Sequence, residues 1–324
     1  MTRAIRMTAH GGPEVLKWEE VEVPAPGPGQ VLLDQKAVGL NYIDVYHRTG
    51  LYPVQLPSGI GMEASAVVEA VGPDVTDVKP GDRVAYAGAP LGAYAERRVM
   101  PAGRMIKLPD GIDDRTAAAM MLQGLTVQYL IRRTFRVEPG QTVLWHAAAG
   151  GVGLIACQWL KHLGVTVIGT VGSAEKGELA KANGCTHVIN YRTENFVERV
   201  KALTDGQGVP VVYDSVGKDT WEGSLDCLQP YGMMVSFGNS SGAVPPVNLN
   251  ILSAKGSLYV TRPTLVTYTA KRDEMLASAA ELFEVVESGA VKIAVNQTYP
   301  LAEAAQAHRD LEARKTTGSS LLLP

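Results

Sequence analysis

The stretch QTVLWHAAAGGVGLIACQWLKHLGVTVIGTVG, residues 141–172, decides how the chain folds. The apolar run VLW predicts a short buried strand, and the glycine-rich turn GGVG follows it. The segment IACQWLKHL has the apolar periodicity of a helix, and the β-branched run VTVI predicts a second strand. The order strand, glycine turn, helix, strand indicates the first βαβ unit of a dinucleotide-binding fold.

The glycines of this turn have the pattern A-x-x-G-x-x-G, formed by Ala147, Gly150 and Gly153. They let the backbone approach a pyrophosphate, and the start of the following helix offers unpaired N–H groups. The alternative is a glycine-rich helix cap in an ordinary α/β protein. We favour the cofactor turn because apolar strands flank it on both sides.

The end of the second strand indicates which dinucleotide is bound. A site for NAD usually carries an acid there for the ribose 2′-OH. Residues 169–176 read GTVGSAEK and place no acid directly at the strand end, whereas Ser173 and Lys176 follow it. A hydroxyl and an ammonium suit a 2′-phosphate, so NADPH is predicted. The nearby Glu175 leaves NADH as the alternative.

Composition excludes several classes of protein. The chain has 324 residues, of which 46% are hydrophobic, and a net charge of −3, so neither a nucleic-acid nor a membrane partner is expected. The N-terminal residues lack the apolar run of a signal peptide. Three cysteines without a C-x-x-C motif predict a reducing, cytoplasmic location. The six histidines show no metal-ligand spacing, and we read them as surface or core residues.

The rest of the chain predicts two domains. Residues 1–125 contain short strands broken by Pro and Gly, as in a compact β barrel, and residues 126–261 alternate strands and helices as in a doubly wound parallel sheet. From residue 262 a long helix leads to a terminal apolar run, 319–323. A strand there needs partners, and the N-terminal β region is their natural source. We therefore predict that 126–261 is inserted into a catalytic domain made of 1–125 and 262–324.

The chain resembles the zinc-independent NADPH:quinone oxidoreductases, the zeta-crystallin-like group of the medium-chain dehydrogenase/reductase superfamily. The resemblance runs over the whole length. It rests on NYIDVYHRTGLY (41–52), GMEASAVVEAVG (61–72), PGDRVAY (80–86), AAAGGVG (147–153), VINYR (188–192), VVYDSVG (211–217), SFGNSSG (236–242) and TGSSLL (317–322). It implies a Rossmann-type domain inserted in a mostly β, GroES-like catalytic domain. It also implies a homodimer that reduces quinones with NADPH, through semiquinones in single-electron steps.

The sequence departs from the zinc alcohol dehydrogenases of that superfamily at the metal ligands. Those enzymes carry an early cysteine and a G-H-E motif. Here the corresponding positions are Asn41-Tyr42 and Gly61-Met62-Glu63, and no cysteine precedes Cys157. Because methionine is a poor zinc ligand, no metal site is predicted.

The resemblance also implies the site residues. Asn41 is expected to hydrogen-bond the nicotinamide ribose or the acceptor carbonyl, and Tyr46 to bond a reduced oxygen or stack on a flat substrate. Asp44 either contacts the ligand or orients its neighbours. Tyr52 and Arg262 complete the predicted catalytic set. The predicted cofactor residues are Thr126, Ala149, Gly150, Gly151, Val152, Gly153, Thr170, Ser173, Lys176, Tyr191, Ser215, Phe237, Gly238, Ser240 and Arg314.

Two other functions remain open. Relatives of the same fold reduce the C=C bond of α,β-unsaturated carbonyls, which requires an acid such as Tyr46 or water after hydride delivery. Other relatives are lens structural proteins or bind AU-rich RNA, but a basic, aromatic-interleaved patch is missing here. The run GSLYV (256–260) is either an edge strand that pairs with its twin in a dimer or an internal strand.

Overall fold

The computed structural model describes residues 1–324. The strands are β1 Thr2–Met7, β2 Lys17–Val21, β3 Gln30–Leu40, β4 Ser58–Gly59, β5 Glu63–Val71, β6 Arg83–Ala87, β7 Arg97–Pro101, β8 Ile106–Lys107, β9 Thr142–Trp145, β10 Thr166–Val171, β11 His187–Asn190, β12 Val209–Asp214, β13 Leu228–Ser236, β14 Tyr259–Thr261, β15 Val295–Pro300 and β16 Ser319–Leu323.

The helices alternate with the strands only in the middle of the chain. They are α1 Tyr42–Thr49, α2 Asp114–Tyr129, α3 Gly151–His162, α4 Ala174–Ala182, α5 Phe196–Leu203, α6 Trp221–Asp226, α7 Asn250–Ala254, α8 Leu265–Tyr268, α9 Arg272–Glu287 and α10 Ala304–Glu312. A π-helical turn, Leu130–Thr134, continues α2. No helix is both long and apolar enough to cross a membrane.

The chain divides into two compact units. The first comprises Met1–Leu125, Tyr268–Glu287 and Ile293–Pro324, and the second comprises Thr126–Thr267 and Ser288–Lys292. The predicted return to the catalytic domain lies at Arg262, whereas residues 262–267 belong to the second unit.

The first unit is built on antiparallel strands. A seven-stranded sheet has the order β15-β16-β3-β5-β6-β8, with β7 also paired to β3, and a three-stranded sheet has the order β2-β1-β4. The terminal strand β16 lies between β15 and β3, so it does find its partner in the N-terminal β region. Leu33, Ala66 and Val84 of these strands belong to one apolar core together with Ala304 and Ala307 of α10.

The second unit contains a six-stranded parallel sheet of order β11-β10-β9-β12-β13-β14. This is the strand order of a dinucleotide-binding fold, in which ligands bind beyond the carboxyl ends of the strands where the order reverses. Consecutive residues Val143 and Leu144 are both fully buried, as expected for a parallel strand covered on both faces. Phe196 and Trp221, on α5 and α6, pack on the sheet residues Leu144 and Val212.

Candidate functional site

The glycine turn joins β9 to α3 at the reversal point of the second unit's sheet. Ala147 adopts a left-handed conformation, φ 56°, and the N–H of Gly150 donates to its carbonyl at 3.0 Å. A Cβ atom at Gly153 would lie 2.4 Å from the Ala147 oxygen, so only glycine fits. The first helical bond after the turn joins the Leu154 N–H to the Gly150 carbonyl at 2.8 Å. The amides of residues 151–153 therefore precede it at a positive helix end that suits an anion.

The predicted 2′-phosphate residues of the second unit lie together at the end of β10. Ser173 caps α4, and its hydroxyl accepts from the Lys176 N–H at 3.3 Å. The N–H of Tyr191 donates to the Val171 carbonyl at 3.1 Å. A Cβ atom at Gly172 would lie 2.6 Å from the Tyr191 hydroxyl oxygen, so this hydroxyl lies close above the strand end. Hydroxyl and ammonium groups match the chemistry of a phosphate, and Glu175 lies in the same first turn of α4.

A further part of the second unit's site lies where β12 and β13 end. The N–H of Phe237 donates to the Asp214 carbonyl at 2.8 Å, and that of Ser240 to the Ser215 carbonyl at 3.2 Å. A Cβ atom at Gly238 would lie 2.4 Å from the Ser215 oxygen. The segments that follow the two strands therefore approach this closely because residue 238 has no side chain. Arg262 donates to the Gly238 carbonyl at 3.4 Å.

A buried polar cluster that the sequence analysis did not predict lies under the glycine turn. His146 lies 2.9 Å from the Thr170 hydroxyl through Nδ1 and 2.9 Å from the Ser224 hydroxyl through Nε2. Ser224 in turn donates to Asp214 at 2.7 Å. Burial lowers the pKa of His146, although the negative charge of Asp214 acts to raise it. The ring is therefore neutral. Thr170, predicted to bind cofactor, has its hydroxyl at this histidine and is 1% exposed.

The predicted catalytic residues of the first unit surround α1. Asn41 precedes the helix, and its N–H donates to Asp44 Oδ2 at 3.0 Å. Tyr46 lies one turn further, with its ring centroid 5.1 Å from that of Tyr52 and 5.4 Å from that of Tyr42. The structure thus brings Asn41, Asp44, Tyr46 and Tyr52 together.

The Asn41 side chain is held by a buried network. Its Nδ2 donates to Glu63 Oε2 at 2.6 Å, and its Oδ1 accepts from Gln123 at 3.2 Å. The other Glu63 oxygen accepts from the Leu122 N–H at 2.7 Å, and Ser319 donates to Gln123 at 2.9 Å. Burial raises the pKa of Glu63 to about 8. These bonds fix the orientation of the amide and leave its second N–H outside the network.

Asp44 is fully buried directly below this network. Its Oδ2 accepts from the Asn41 N–H and from the Tyr94 hydroxyl at 2.8 Å, whereas its Oδ1 has no hydrogen-bond partner. Burial raises its pKa to about 7. Asp44 was predicted either to contact the ligand or to orient its neighbours. These contacts match the second role.

The remaining predicted residues are divided between the units. Arg314 lies in the first unit, where it follows α10 with φ 58° and is exposed. Thr126, 8% exposed, and the cofactor residues from 149 to 240 lie in the second. The predicted partnership of Arg314 with Ser173 and Lys176 stays a prediction. No group of three or more His, Cys, Asp or Glu side chains could hold a metal ion.

Comparison with known proteins identifies both units. Residues 27–110 match the family model "Alcohol dehydrogenase GroES-like domain", and residues 151–284 match "Zinc-binding dehydrogenase". The predicted fold class is therefore confirmed: a Rossmann-type parallel sheet together with a GroES-like, mostly β part.

Several relatives match the chain over its full length. A quinone oxidoreductase of Pseudomonas aeruginosa is 57% identical, with 100% of each chain covered. A 2-haloacrylate reductase of a Burkholderia species is 48% identical, covering 100% of this chain and 99% of the relative. The crystal structure of Escherichia coli quinone oxidoreductase complexed with NADPH superposes with a TM-score of 0.98 at 53% identity, covering 99% of this chain and 100% of that one. This chain therefore belongs to the quinone oxidoreductases of the medium-chain dehydrogenase/reductase superfamily.

Proposed function

We propose that this protein is an NADPH-dependent quinone reductase. The observation that carries the proposal is the end of β10, where the Tyr191 hydroxyl lies against Gly172 and Ser173 caps the helix that carries Lys176 in its first turn. This donor set fits NADPH, because the turn accepts a pyrophosphate and the strand end accepts a 2′-phosphate. The E. coli relative, whose structure contains NADPH, supports the same cofactor.

In this proposal the second unit holds the dinucleotide. The amides of residues 151–153 bind the pyrophosphate, and Ser173 and Lys176 bind the 2′-phosphate. Ser215, Phe237, Gly238 and Ser240 border the nicotinamide half, since ligands of such sheets lie beyond the strand ends. When bound, NADPH supplies the reducing equivalents from its nicotinamide ring. Hydride transfer and the predicted single-electron steps both remain compatible with this site.

The first unit supplies the groups for the acceptor. Asn41, fixed by Glu63 and Gln123, presents an amide N–H to a carbonyl oxygen. The Tyr46 phenol, within a cluster of tyrosine rings, can stack on a flat quinone and donate to its oxygen. We propose that 1–125 with 262–324 acts as the catalytic domain and 126–261 as the cofactor domain.

We further propose a cytoplasmic homodimer. The three cysteines are free thiols, which fits a reducing compartment. β14 lies at the edge of the six-stranded sheet, and Tyr259 and Val260 on it are exposed, so this edge can pair with a second copy.

The first test compares NADPH with NADH as donors for benzoquinone and phenanthrenequinone, for wild type and Lys176→Ala. We expect wild type to prefer NADPH. Loss of a charge-assisted bond to phosphate should raise the KM for NADPH by about 10- to 100-fold and leave that for NADH unchanged. The matched control is Lys181→Ala, which removes an exposed lysine from the last turn of the same helix.

Three outcomes would contradict this proposal in different ways. Equal effects of the two lysine variants would remove the 2′-phosphate assignment. Turnover of 2-chloroacrylate but not of quinones would favour C=C reduction, the second candidate, to which the Burkholderia relative gives weight. NADPH binding without turnover of either acceptor would favour a non-catalytic role.

A further inference from the structure

A chain of buried polar side chains runs through the first unit from α10 to the start of α1. Arg48, 1% exposed, forms a bidentate pair with Glu312 at 2.7 and 2.8 Å and reaches His308 Nδ1 at 3.1 Å. His308 Nε2 lies 3.2 Å from the Tyr94 hydroxyl. Tyr94 donates to Asp44, whose Oδ2 also accepts from the Asn41 N–H. Asp44, Tyr94 and His308 are all fully buried.

The chemistry of these groups allows the hydrogen bonds of this side-chain series to run in one direction only, from donor to acceptor. A guanidinium carries only donors, so His308 Nδ1 must accept from Arg48. A neutral imidazole then carries its proton on Nε2, which donates to the Tyr94 oxygen. The Tyr94 O–H is thereby left to donate to Asp44. Burial, with the charge of Arg48, lowers the pKa of His308 to about 3, so the ring stays neutral and the direction is maintained.

The middle of the chain is fixed by the backbone. The Tyr94 N–H donates to the Ile60 carbonyl at 2.9 Å, and the Tyr94 carbonyl accepts from the Ile5 N–H at 2.8 Å. A Cβ atom at Gly61 would lie 2.2 Å from the Tyr94 ring, so the ring lies directly against glycine backbone. Tyr94 therefore presents its hydroxyl from a rigid position, and α1 is oriented against it.

We propose that Tyr94 and His308 are positioning residues: the directed chain from Arg48 through His308 and Tyr94 to Asp44 holds the first turn of α1 and so orients Asn41 and Tyr46. This inference rests on the proposed function, which assigns Asn41 and Tyr46 to the acceptor. Neither residue of the pair needs to touch a ligand, because each acts through Asp44.

The proposal predicts a characteristic pH profile. The charged and titratable groups around Asp44 are Tyr94, Glu63, His308 and Arg48. Ionised Asp44 is the better acceptor for both Asn41 and Tyr94, so kcat should fall as pH drops through its pKa of about 7. The bond from Tyr94 lowers this pKa. Removing the hydroxyl must therefore move the acidic limb of the profile to higher pH.

The experiment measures kcat and KM against pH for Tyr94→Phe and for Tyr86→Phe. Tyr86 is the matched control, since it is an equally buried phenol of the same unit whose hydrogen-bond partners are Gln35 and Arg98. Each variant loses the two buried hydrogen bonds of its phenol oxygen. We expect only Tyr94→Phe to lower kcat, by about 10- to 100-fold as for a small misplacement of a catalytic group, and to shift the acidic limb. The KM for NADPH should not change. Identical profiles of the two variants would overturn the proposal.

A second measurement does not depend on turnover or on the folding of a variant. Nitrogen NMR of histidine-labelled wild type should show His308 neutral, with its proton on Nε2, throughout the pH range in which the protein is folded. A proton on Nδ1, or titration near neutral pH, would overturn the direction of the chain. If wild type reduced no quinone while His308 gave the expected spectrum, the proposed function alone would fail.

Discussion

At the scale of single residues, Glu63 and Asp44 place two carboxyl groups out of reach of water. Burial raises the pKa of Glu63 from 4.5 to about 8 and that of Asp44 from 3.8 to about 7. The folded protein therefore keeps protons that the unfolded chain has already released, and its stability falls as pH rises through the folded-state pKa values. His47 and His308 act in the opposite sense, because burial lowers their pKa values to about 4 and about 3. These two histidines therefore affect the stability only at pH values below 6.5, the ordinary pKa of histidine.

Between pH 6.5 and pH 8, then, the two carboxyl groups dominate. We expect the free energy of unfolding to fall by roughly 2–3 kcal/mol over this interval, since one proton contributes about 1.4 kcal/mol per pH unit and both groups titrate within it. Glu63→Gln should remove most of the fall, because Asp44 completes its titration earlier. Urea unfolding at a series of pH values measures the effect. Glu69→Gln, which changes an exposed carboxylate of the same strand, should retain the wild-type fall, and a flat wild-type curve would contradict the prediction.

The sequence predicts roles for residues that carry local signals, but not for those whose role depends on distant contacts. Asn41 and Tyr46 follow from a motif. Tyr94 and His308 are 214 residues apart, and nothing near either one indicates the bond between them. Glu63 did carry a signal, as a charged residue within the apolar run GMEASAVV. A charge in a buried strand requires partners, which here are Asn41 and Leu122.

At the scale of elements, the turn between β9 and α3 depends on the absence of a side chain at Gly153. A methyl group there would meet the Ala147 oxygen at 2.4 Å and the Ala148 carbonyl carbon at 2.7 Å. We expect Gly153→Ala to lower the free energy of unfolding by about 1–3 kcal/mol, as overpacking does, and to weaken NADPH binding at least about tenfold. Thermal melts and a fluorescence titration measure the two effects.

Gly103→Ala is the matched control for this substitution. A Cβ atom at Gly103 meets nothing within 4 Å, and the residue lies in the first unit, outside the turn. Its NADPH affinity should equal that of wild type. An unchanged affinity in Gly153→Ala would mean that the turn does not bind the dinucleotide.

The elements of the second unit were predictable because apolar runs and turns alternate there. α1 was not predicted, although Asn41 before the helix, Asp44 in its first turn and Gly50 at φ 80° after its last are all helix-end signals. Tyrosine, valine and isoleucine within it favour strands. The family motif predicts roles for its side chains and does not indicate that its backbone is helical.

At the scale of the whole molecule, the proposed homodimer would form through the exposed edge strand β14. Tyr259 is 60% and Val260 39% exposed on this edge. We expect a homodimer in solution, and Val260→Lys should yield monomers because it places a charge in the pairing edge. Light scattering after size-exclusion chromatography measures the mass.

Leu249→Lys is the control for this surface. Leu249 is 75% exposed and apolar but lies outside the strands, so its replacement should leave the dimer intact. A monomeric wild type, or dimers in Val260→Lys, would exclude the edge as the interface.

The pairing of β16 with β3 was predictable in outline, because the apolar run 319–323 required partners far back in the sequence. The order of the seven-stranded sheet was not, since antiparallel strands of this length pair in many ways that sequence alone does not separate. The parallel sheet allows fewer strand orders. Each connection between its strands crosses over through a helix, and such crossovers have a fixed, right-handed sense.

The position of β16 between β15 and β3 has a consequence for protein synthesis. The ribosome makes residues 319–323 after every residue of the second unit, which ends at Lys292. While the nascent chain is still growing, the second unit can already close its sheet, whereas the first must leave β3 without its neighbour. Domains generally fold in the order of synthesis, starting at the N-terminus. For this chain we expect the reverse order, in which the N-terminal strands are the ones that a chaperone would have to protect.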